Sequence, residues 1–287
     1  MRLGKYDTSN IRVRSGGRSR MPGGRGGGIG CGAIIIAAIA YFVFGADPLQ
    51  TIGMIEGAQQ QAPQQQQQAN VSEEQVCESG PYAREACNAL SSLNTTWRPE
   101  FQRAGIQFQD PILTLYSGAV TTQGCGSATS AAGPFYCPAD MGIYIDTSFY
   151  DEMARRMGAG GDFARYYVMA HEYGHHIQNL TGLASQVRSL QARNRSQANQ
   201  LQVRMELQAD CYAGVWAGKN RNLIEPGDMQ EGLRAASAIG DDTLMRNAGQ
   251  RINPENFTHG TSRQRMEALR LGLDAANSSV CDQYFEN

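Results

Sequence analysis

The sequence predicts an α+β fold: a predominantly helical domain with a small β-sheet, preceded by one transmembrane helix. Three observations lead to this prediction. Two short apolar runs, Ile112–Tyr116 and Gly142–Asp146, have the length and pattern of strands. From Ser148 onward, nearly every segment is typical of helix. An uncharged apolar run over 29–46 is about long enough to cross a membrane.

The first 28 residues form a basic, glycine-rich segment with seven basic residues and one acidic residue. Such a composition predicts a disordered tail. Arginine and glycine together also fit RNA binding, but a cytoplasmic tail that sets membrane topology is favoured, because the apolar run follows directly. The rest of the chain carries 18 basic and 26 acidic residues, which argues against nucleic acid as a partner.

The run over 29–46 is interpreted as an uncleaved signal-anchor. Its basic flank lies on the N-terminal side and therefore orients the N-terminus inside. A cleaved signal peptide is the alternative, but the leader is long and Phe44-Gly45-Ala46 is a poor cleavage site. The expected protein crosses the cytoplasmic (inner) membrane once, with its main domain periplasmic or extracellular.

A glutamine-rich stretch follows this run, and the residues over 47–75 are predicted to be a flexible linker. One folded domain is then expected over 76–287. Besides the two strands, a glycine-, serine- and alanine-rich loop is predicted between Cys125 and Cys137. Helices are predicted over 84–93, around Trp97 and Phe101, over 148–157, 162–180 and 185–217, and from near Ser262.

Six cysteines lie beyond the apolar run: Cys77, Cys87, Cys125, Cys137, Cys211 and Cys281. An even number favours disulfides in an oxidising compartment, although buried free thiols are the alternative. Six cysteines allow 15 connectivities. Proximity in the chain suggests Cys77–Cys87 and Cys125–Cys137, which leaves Cys211–Cys281.

The most informative motif is His171-Glu172-Tyr173-Gly174-His175-His176, which contains H-E-x-x-H. On a helix, His171 and His175 lie on one face, one turn apart, where both can bind one metal ion. Glu172 lies beside that ion and can accept a proton from water. The flanking apolar residues favour a half-buried helix over a chance match on a solvated face.

Catalytic zinc takes three protein ligands and leaves one position open. Glu206 is the candidate third ligand, and Asp210, one turn later, is the candidate acceptor for the free ring N–H of a zinc-binding histidine. A solvated acidic face is the alternative. Apolar neighbours on both sides favour burial, and buried carboxylates need partners.

These residues resemble the gluzincin peptidases and, more closely, the bacterial neutral zinc metallopeptidase family of the YpfJ type. The matching strings are His171-Glu172-x-x-His175, Glu206-x-x-x-Asp210, Gly133 to Pro138, Tyr144-Ile145-Asp146, the block from His171 to Gln178, and Thr258 to Ser262. The resemblance covers nearly all of 77–285. It implies a zincin-like metallopeptidase domain with Zn²⁺ as cofactor and a peptide or protein as substrate.

The same resemblance draws attention to two basic residues. His259 can donate a hydrogen bond to a developing oxyanion, as histidine, tyrosine or arginine does in gluzincins. Arg265 is similar to the arginine that follows a comparable histidine in CAAX-processing zinc peptidases, and it is a second candidate donor. A structural histidine and a surface arginine are the alternatives. His176 points about 100° away from the ligand face, which indicates a packing role.

The sequence therefore predicts a membrane-anchored zinc endopeptidase, a hydrolase in which Glu172 is the general base. The alternative is a non-catalytic envelope scaffold or binding domain stabilised by zinc. A structural zinc site needs no base and is closed by a fourth protein ligand, so the presence of Glu172 favours the enzyme.

Overall fold

In the computed structural model, which describes residues 1–16 and 71–286, nine α-helices accompany one four-stranded and one two-stranded sheet. The α+β part of the prediction is therefore confirmed. The strands are β1 (Arg12–Ser15), β2 (Ile112–Tyr116), β3 (Ala119–Thr121), β4 (Ser127–Thr129), β5 (Phe135–Cys137) and β6 (Gly142–Asp146). The helices are α1 (Glu73–Cys77), α2 (Pro81–Ala104), α3 (Thr147–Arg156), α4 (Asp162–Leu180), α5 (Leu183–Arg193), α6 (Ala198–Lys219), α7 (Asp228–Ala238), α8 (Asp241–Asn247) and α9 (Ser262–Ala275).

The larger sheet has the order β1-β2-β6-β5. Strands β1, β2 and β6 are parallel, and β5 pairs antiparallel with β6. The two predicted strands are confirmed as β2 and β6, whose side chains are almost all buried. Part of the predicted loop differs, because β3 and β4 form a hairpin there and β5 joins the sheet.

Residues 1–16 belong to the folded domain, so the prediction of a disordered tail is wrong for this part of it. Strand β1 pairs with β2 over four residues, and Tyr6, Ile11 and Val13 are buried in the core. The α-amino group of Met1 lies 2.7 Å from the Asp228 carboxylate and 3.1 Å from that of Asp162. The high content of arginine and glycine predicts disorder, because the few apolar residues of this segment contribute little to its overall composition.

The predicted membrane anchor and the inner-membrane localisation are corrected. The anchor over 29–46 falls outside the described residues, and no helix within 1–16 or 71–286 is long and apolar enough to cross a membrane. Moreover, β1 precedes that segment and β2 follows it, yet the two strands pair in one sheet. The N-terminus and the main domain therefore cannot lie on opposite sides of a membrane.

One boundary and two helices also differ from the predictions. Helix α1 begins at Glu73, before the predicted start of the domain, and Ser72 caps it through a capping box with Gln75. Helix α2 joins two segments that were predicted separately. The long helix predicted over 185–217 is broken at Asn194, whose backbone leaves the helical region (φ −132°, ψ 84°).

All three predicted disulfides are confirmed: Cys77–Cys87, Cys125–Cys137 and Cys211–Cys281. The first joins α1 to α2, and the second joins the β3–β4 hairpin to β5. The third ties the C-terminal 3₁₀ helix, Ser278–Tyr284, to the middle of α6. Disulfides of this kind are typical of oxidising compartments.

Helices α6 and α9 pack at unusually short range, and two glycines explain why. A Cβ atom on Gly272 would lie 1.9 Å from the carbonyl oxygen of Cys211, and one on Gly214 would lie 2.1 Å from that of Leu269. Both distances are far below van der Waals contact, so only glycine lets the two backbones come this close. Helix α9, which carries Arg265, is thereby held against α6.

We expect Arg14→Ala to lower the free energy of unfolding by about 1–2 kcal/mol, because a net hydrogen bond contributes about 1 kcal/mol. From β1, the Arg14 guanidinium donates to Thr114 Oγ1 and to the Tyr144 hydroxyl, both at 2.8 Å, and so links three strands. Urea denaturation measures the change. Arg12→Ala, at an exposed position of the same strand, is the control and should change stability by less than about 0.5 kcal/mol. Equal effects of the two substitutions would contradict a specific role for Arg14.

Candidate metal centre

Helix α4 carries the H-E-x-x-H motif in the interior of the domain. It runs from Asp162 to Leu180, as predicted, and most of its residues are buried. His171 is 6% exposed and Glu172 is 7% exposed, while His175 remains partly accessible. The motif is therefore mid-helix and largely shielded from water, with access from the side of His175.

The contact between α4 and α6 is closest at Gly174 and Ala209. A Cβ atom on Gly174 would lie 2.8 Å from the Ala209 Cα atom and 2.9 Å from the Ala209 carbonyl oxygen. Gly174 lies between His171 and His175 in the chain. In the same way, Ala209 lies between Glu206 and Asp210. The closest point of the two helices therefore coincides with the motif residues of both.

His171, His175 and Glu206 converge on one point. Atoms of the three side chains lie within 4.8 Å of one another. The Nε2 atom of His171 is 3.1 Å from Glu206 Oε2, and that of His175 is 3.6 Å from Glu206 Oε1. Gln202, one turn before Glu206, donates a hydrogen bond to Glu206 Oε1 at 2.9 Å. The structure thus brings together the three residues that the sequence predicts as ligands.

Asp210 lies behind His171 and contacts its ring. The Asp210 Oδ1 atom accepts from His171 Nδ1 at 2.8 Å and from the Tyr167 hydroxyl at 2.6 Å. Arg265 binds the same carboxylate with Nε at 2.7 Å and Nη2 at 3.0 Å. Burial alone would raise the pKa of Asp210, but the positive charges of Arg265 and His171 lower it to about 2. Asp210 is therefore a fixed anion behind His171.

These contacts also locate Arg265, which is 1% exposed. Besides Asp210, its guanidinium donates to the Ile239 carbonyl oxygen at 3.2 Å and to the Tyr167 hydroxyl at 3.3 Å. The sequence pointed to an oxyanion donor here. The observed contacts make Arg265 the partner of the buried Asp210 carboxylate. Without a positively charged partner, burial of this carboxylate would be costly.

His175 has a neutral partner. Its Nδ1 atom lies 2.9 Å from Oε1 of Gln178, which is fully buried one turn later on the same helix. Each histidine thus uses Nδ1 for an acceptor and turns Nε2 toward Glu206. Burial alone would lower the pKa of His171, yet Asp210 and Glu206 together raise it to about 9. The pocket therefore favours a positive charge between the imidazoles and the carboxylate.

Glu172 differs from the other carboxylates of the site. Its pKa is raised by burial, and the positive charges of His171 and His175 only partly oppose this effect. Within the described part of the chain it has no hydrogen-bond partner that would hold it ionised. A buried carboxylate with a raised pKa is suited to accepting a proton near neutral pH.

His259 lies in a loop that Asp241 holds together. One carboxylate oxygen of Asp241 accepts the backbone N–H groups of Thr258, His259 and Gly260 at 2.7–2.9 Å. The other lies 3.1 Å from His259 Nδ1. Gly260 packs beside Leu207 on α6, next to Glu206. Burial alone would raise the pKa of Glu206, but His175, His171 and, to a lesser extent, His259 hold it well below its usual range. His259 is thus within electrostatic reach of the predicted ligand.

Comparison with known proteins agrees with this geometry. The sequence profile of the family described as "Putative neutral zinc metallopeptidase" matches residues 4–284. The chain belongs to this family. The uncharacterized protein YpfJ of Escherichia coli (strain K12) is 41% identical over 294 residues, which cover 98% of this chain and 97% of the relative. The uncharacterized protein Rv2575 of Mycobacterium tuberculosis (strain ATCC 25618 / H37Rv) is 39% identical over 207 residues, 68% of each chain. No solved structure gives a significant match.

In this member of the neutral zinc metallopeptidase family, several site residues escape prediction from the sequence. Gln178 lies inside the matching block, and its i,i+3 spacing from His175 could have predicted their contact on one face of the helix. Tyr167 and Asp241 gave no signal, because their partners lie 43 and 18 residues away in the chain. His176 is fully buried, and its ring nitrogens bond the Tyr136 hydroxyl and the Gln109 carbonyl oxygen.

We expect Gly174→Ala to destabilise the domain by about 1–3 kcal/mol and to weaken metal binding. Alanine favours helix over glycine by about 1 kcal/mol, but its methyl group must push the backbone of Ala209 away. Urea denaturation and metal titration measure the two effects. Gly80→Ala, where a methyl group meets open space, is the control. A more stable Gly174→Ala variant with normal metal binding would show that the close contact is not required.

Proposed function

We propose that this chain is a zinc-dependent peptidase that hydrolyses internal peptide bonds of peptides or proteins. The observation that carries the proposal is the convergence of His171, His175 and Glu206, with the buried Glu172 next to His171 in the motif. Membership of the metallopeptidase family supports it as well.

The donor set fits zinc. Two imidazoles and one carboxylate are the ligands of a gluzincin-type site, and three protein ligands leave a position open for substrate or water. Each imidazole has its Nδ1 engaged by an acceptor, so that Nε2 is the nitrogen available to the metal. When bound, zinc supplies a Lewis acid that polarises the scissile carbonyl and lowers the pKa of water to near 7.

Glu172 is the general base in this proposal. Its carboxylate takes a proton from the attacking water and then passes it to the nitrogen of the leaving amine. Burial raises the pKa of Glu172, which makes its carboxylate a better proton acceptor than an exposed glutamate. Burial excludes bulk water, so the proton remains at the site during the reaction.

His259 stabilises the oxyanion. Its Nδ1 is engaged by the loop contacts with Asp241, which orient the ring and leave Nε2 as the remaining donor position. A donor held in advance costs no reorganisation when charge develops on the carbonyl oxygen. Arg265 acts indirectly, since it binds the carboxylate that orients His171.

We expect Glu172→Gln to lower kcat/KM by about 10²–10⁴-fold, the usual contribution of a general base, while zinc content stays the same. Peptide-library digestion measures activity, and elemental analysis measures the metal. Glu255→Gln, at an exposed glutamate, is the control and should be fully active. Undiminished cleavage by zinc-loaded Glu172→Gln would exclude this assignment.

The same preparations test the scaffold alternative. If chelation unfolds the wild-type domain and no peptide in the library is cleaved, zinc acts as a structural element. The peptidase proposal requires cleavage that stops on chelation and returns when zinc is restored.

We expect His259→Ala to lower kcat by about 10²–10³-fold, as the loss of one oxyanion donor does, with little change in KM or zinc content. His176→Gln is the matched control, because this buried histidine bonds only Tyr136 and Gln109 among the described residues. That substitution should lower stability and leave kcat unchanged. A His259→Ala enzyme with normal kcat would remove His259 from the mechanism.

A further inference from the structure

Gln178 makes three hydrogen bonds in the interior, and the H-E-x-x-H motif does not include it. Its Oε1 atom lies 2.9 Å from His175 Nδ1. Its Nε2 atom lies 2.8 Å from the Met205 carbonyl oxygen and 3.0 Å from Gln208 Oε1. The side chain therefore connects the second predicted zinc ligand on α4 to two residues of α6.

These contacts fix the orientation of the amide. A backbone carbonyl can only accept, so the NH₂ group of Gln178 must face Met205 and its oxygen must face His175. An amide oxygen can only accept in turn, so His175 Nδ1 carries the hydrogen. The tautomer that remains has its lone pair on Nε2, the nitrogen that faces Glu206 at 3.6 Å.

Gln208 continues the chain of hydrogen bonds. Its Oε1 atom accepts from Gln178, and its Nε2 atom donates to the Cys281 carbonyl oxygen at 3.2 Å. Cys281 is fully buried and forms the disulfide with Cys211, which directly follows Asp210 on α6. A continuous relay thus runs from His175 through two amides to a carbonyl that a disulfide holds in place.

We propose that Gln178 and Gln208 are positioning residues for His175, and that the Cys211–Cys281 disulfide anchors the far end of this relay. The proposal rests on the proposed function in one respect, namely that His175 binds the metal. His171 is oriented by a carboxylate, whereas His175 is oriented by neutral amides that depend on one disulfide for their geometry. Metal affinity consequently depends on an S–S bond that touches no ligand.

The first test compares zinc affinity, measured by competition with a chromophoric chelator, and the visible spectrum of the Co²⁺-loaded domain. Gln178→Leu should weaken zinc binding about 10–100-fold, as loss of an orienting partner does, and should alter the Co²⁺ bands. Gln208→Leu should act in the same direction. Gln178→Glu keeps an acceptor for His175 but loses both donations to α6, so it should bind zinc more tightly than Gln178→Leu and less tightly than the wild type, and it should lose stability.

A matched control separates positioning from packing. Asn94 is also a fully buried amide, which accepts from Tyr173 on α4 and donates to the Asn10 carbonyl oxygen. Asn94→Leu should lower stability without changing zinc affinity or the Co²⁺ spectrum. The proposal is overturned if Asn94→Leu and Gln178→Leu weaken zinc binding equally, or if Gln178→Glu binds no better than Gln178→Leu.

The second test concerns the disulfide. Replacing Cys211 and Cys281 together by alanine should weaken zinc binding several-fold. Replacing Cys77 and Cys87 together should lower stability but leave zinc affinity unchanged, because that bond joins helices without predicted ligands. Equal zinc affinity in the two double variants would refute the anchoring role.

Failure of the proposed function gives a different result. If His175→Ala binds zinc as tightly as wild type, His175 is not a ligand and the proposed function is wrong. If His175→Ala loses zinc while all the relay variants bind normally, only the positioning proposal fails.

Discussion

The site depends on one close approach between two helices. At Gly174 and Ala209 the backbones of α4 and α6 come so near that a single methyl group has no room. On either side of this point, each helix presents two motif residues, one turn apart. Two histidines and two carboxylates therefore meet without any loop being needed to position them. Rigid helices hold such side chains more accurately than loops do. The second short contact, between α6 and α9 at Gly214 and Gly272, brings Arg265 to Asp210 in the same manner.

Around this contact, charge is arranged in layers that alternate in sign. Glu206 faces two imidazoles, and Asp210 lies behind one of them with Arg265 behind it in turn. A buried charge is costly unless it is paired, and each charge of this series has a partner in the next layer. Glu172 is the exception: it gains no partner among the described residues, and burial raises its pKa. The carboxylate that is least stabilised as an anion is therefore the one that we propose as the general base.

How far the sequence leads depends on how local each signal is. Helix α4, Glu206 and Asp210 could be predicted because their spacing and apolar neighbours lie within a few turns. Cysteines that are close in the chain likewise indicated two of the disulfides, and the third pair was what remained. Strand β1 could not be found, since Arg12 pairs with Ile112, one hundred residues away, and only Val13 of the four strand residues is buried. Arg265 was predicted as a donor beside the ligands, but its partner Asp210 could not be named, because that pairing depends on the packing of α9 on α6.

The pairing of the N-terminal strand implies a topology opposite to the one that composition alone predicts. A basic tail followed by an apolar run predicts a tail on one side of a membrane and a domain on the other. Yet Arg14 reaches across β2 to Tyr144 on β6, and Tyr6 donates a hydrogen bond to Glu78 at the end of α1. Parallel strands need a crossover connection, and α2 lies in the chain between β1 and β2. A topology that separated residues 1–16 from the rest would remove the edge strand and expose the apolar side chains that it covers. The family match, which begins at residue 4, includes this strand in the domain.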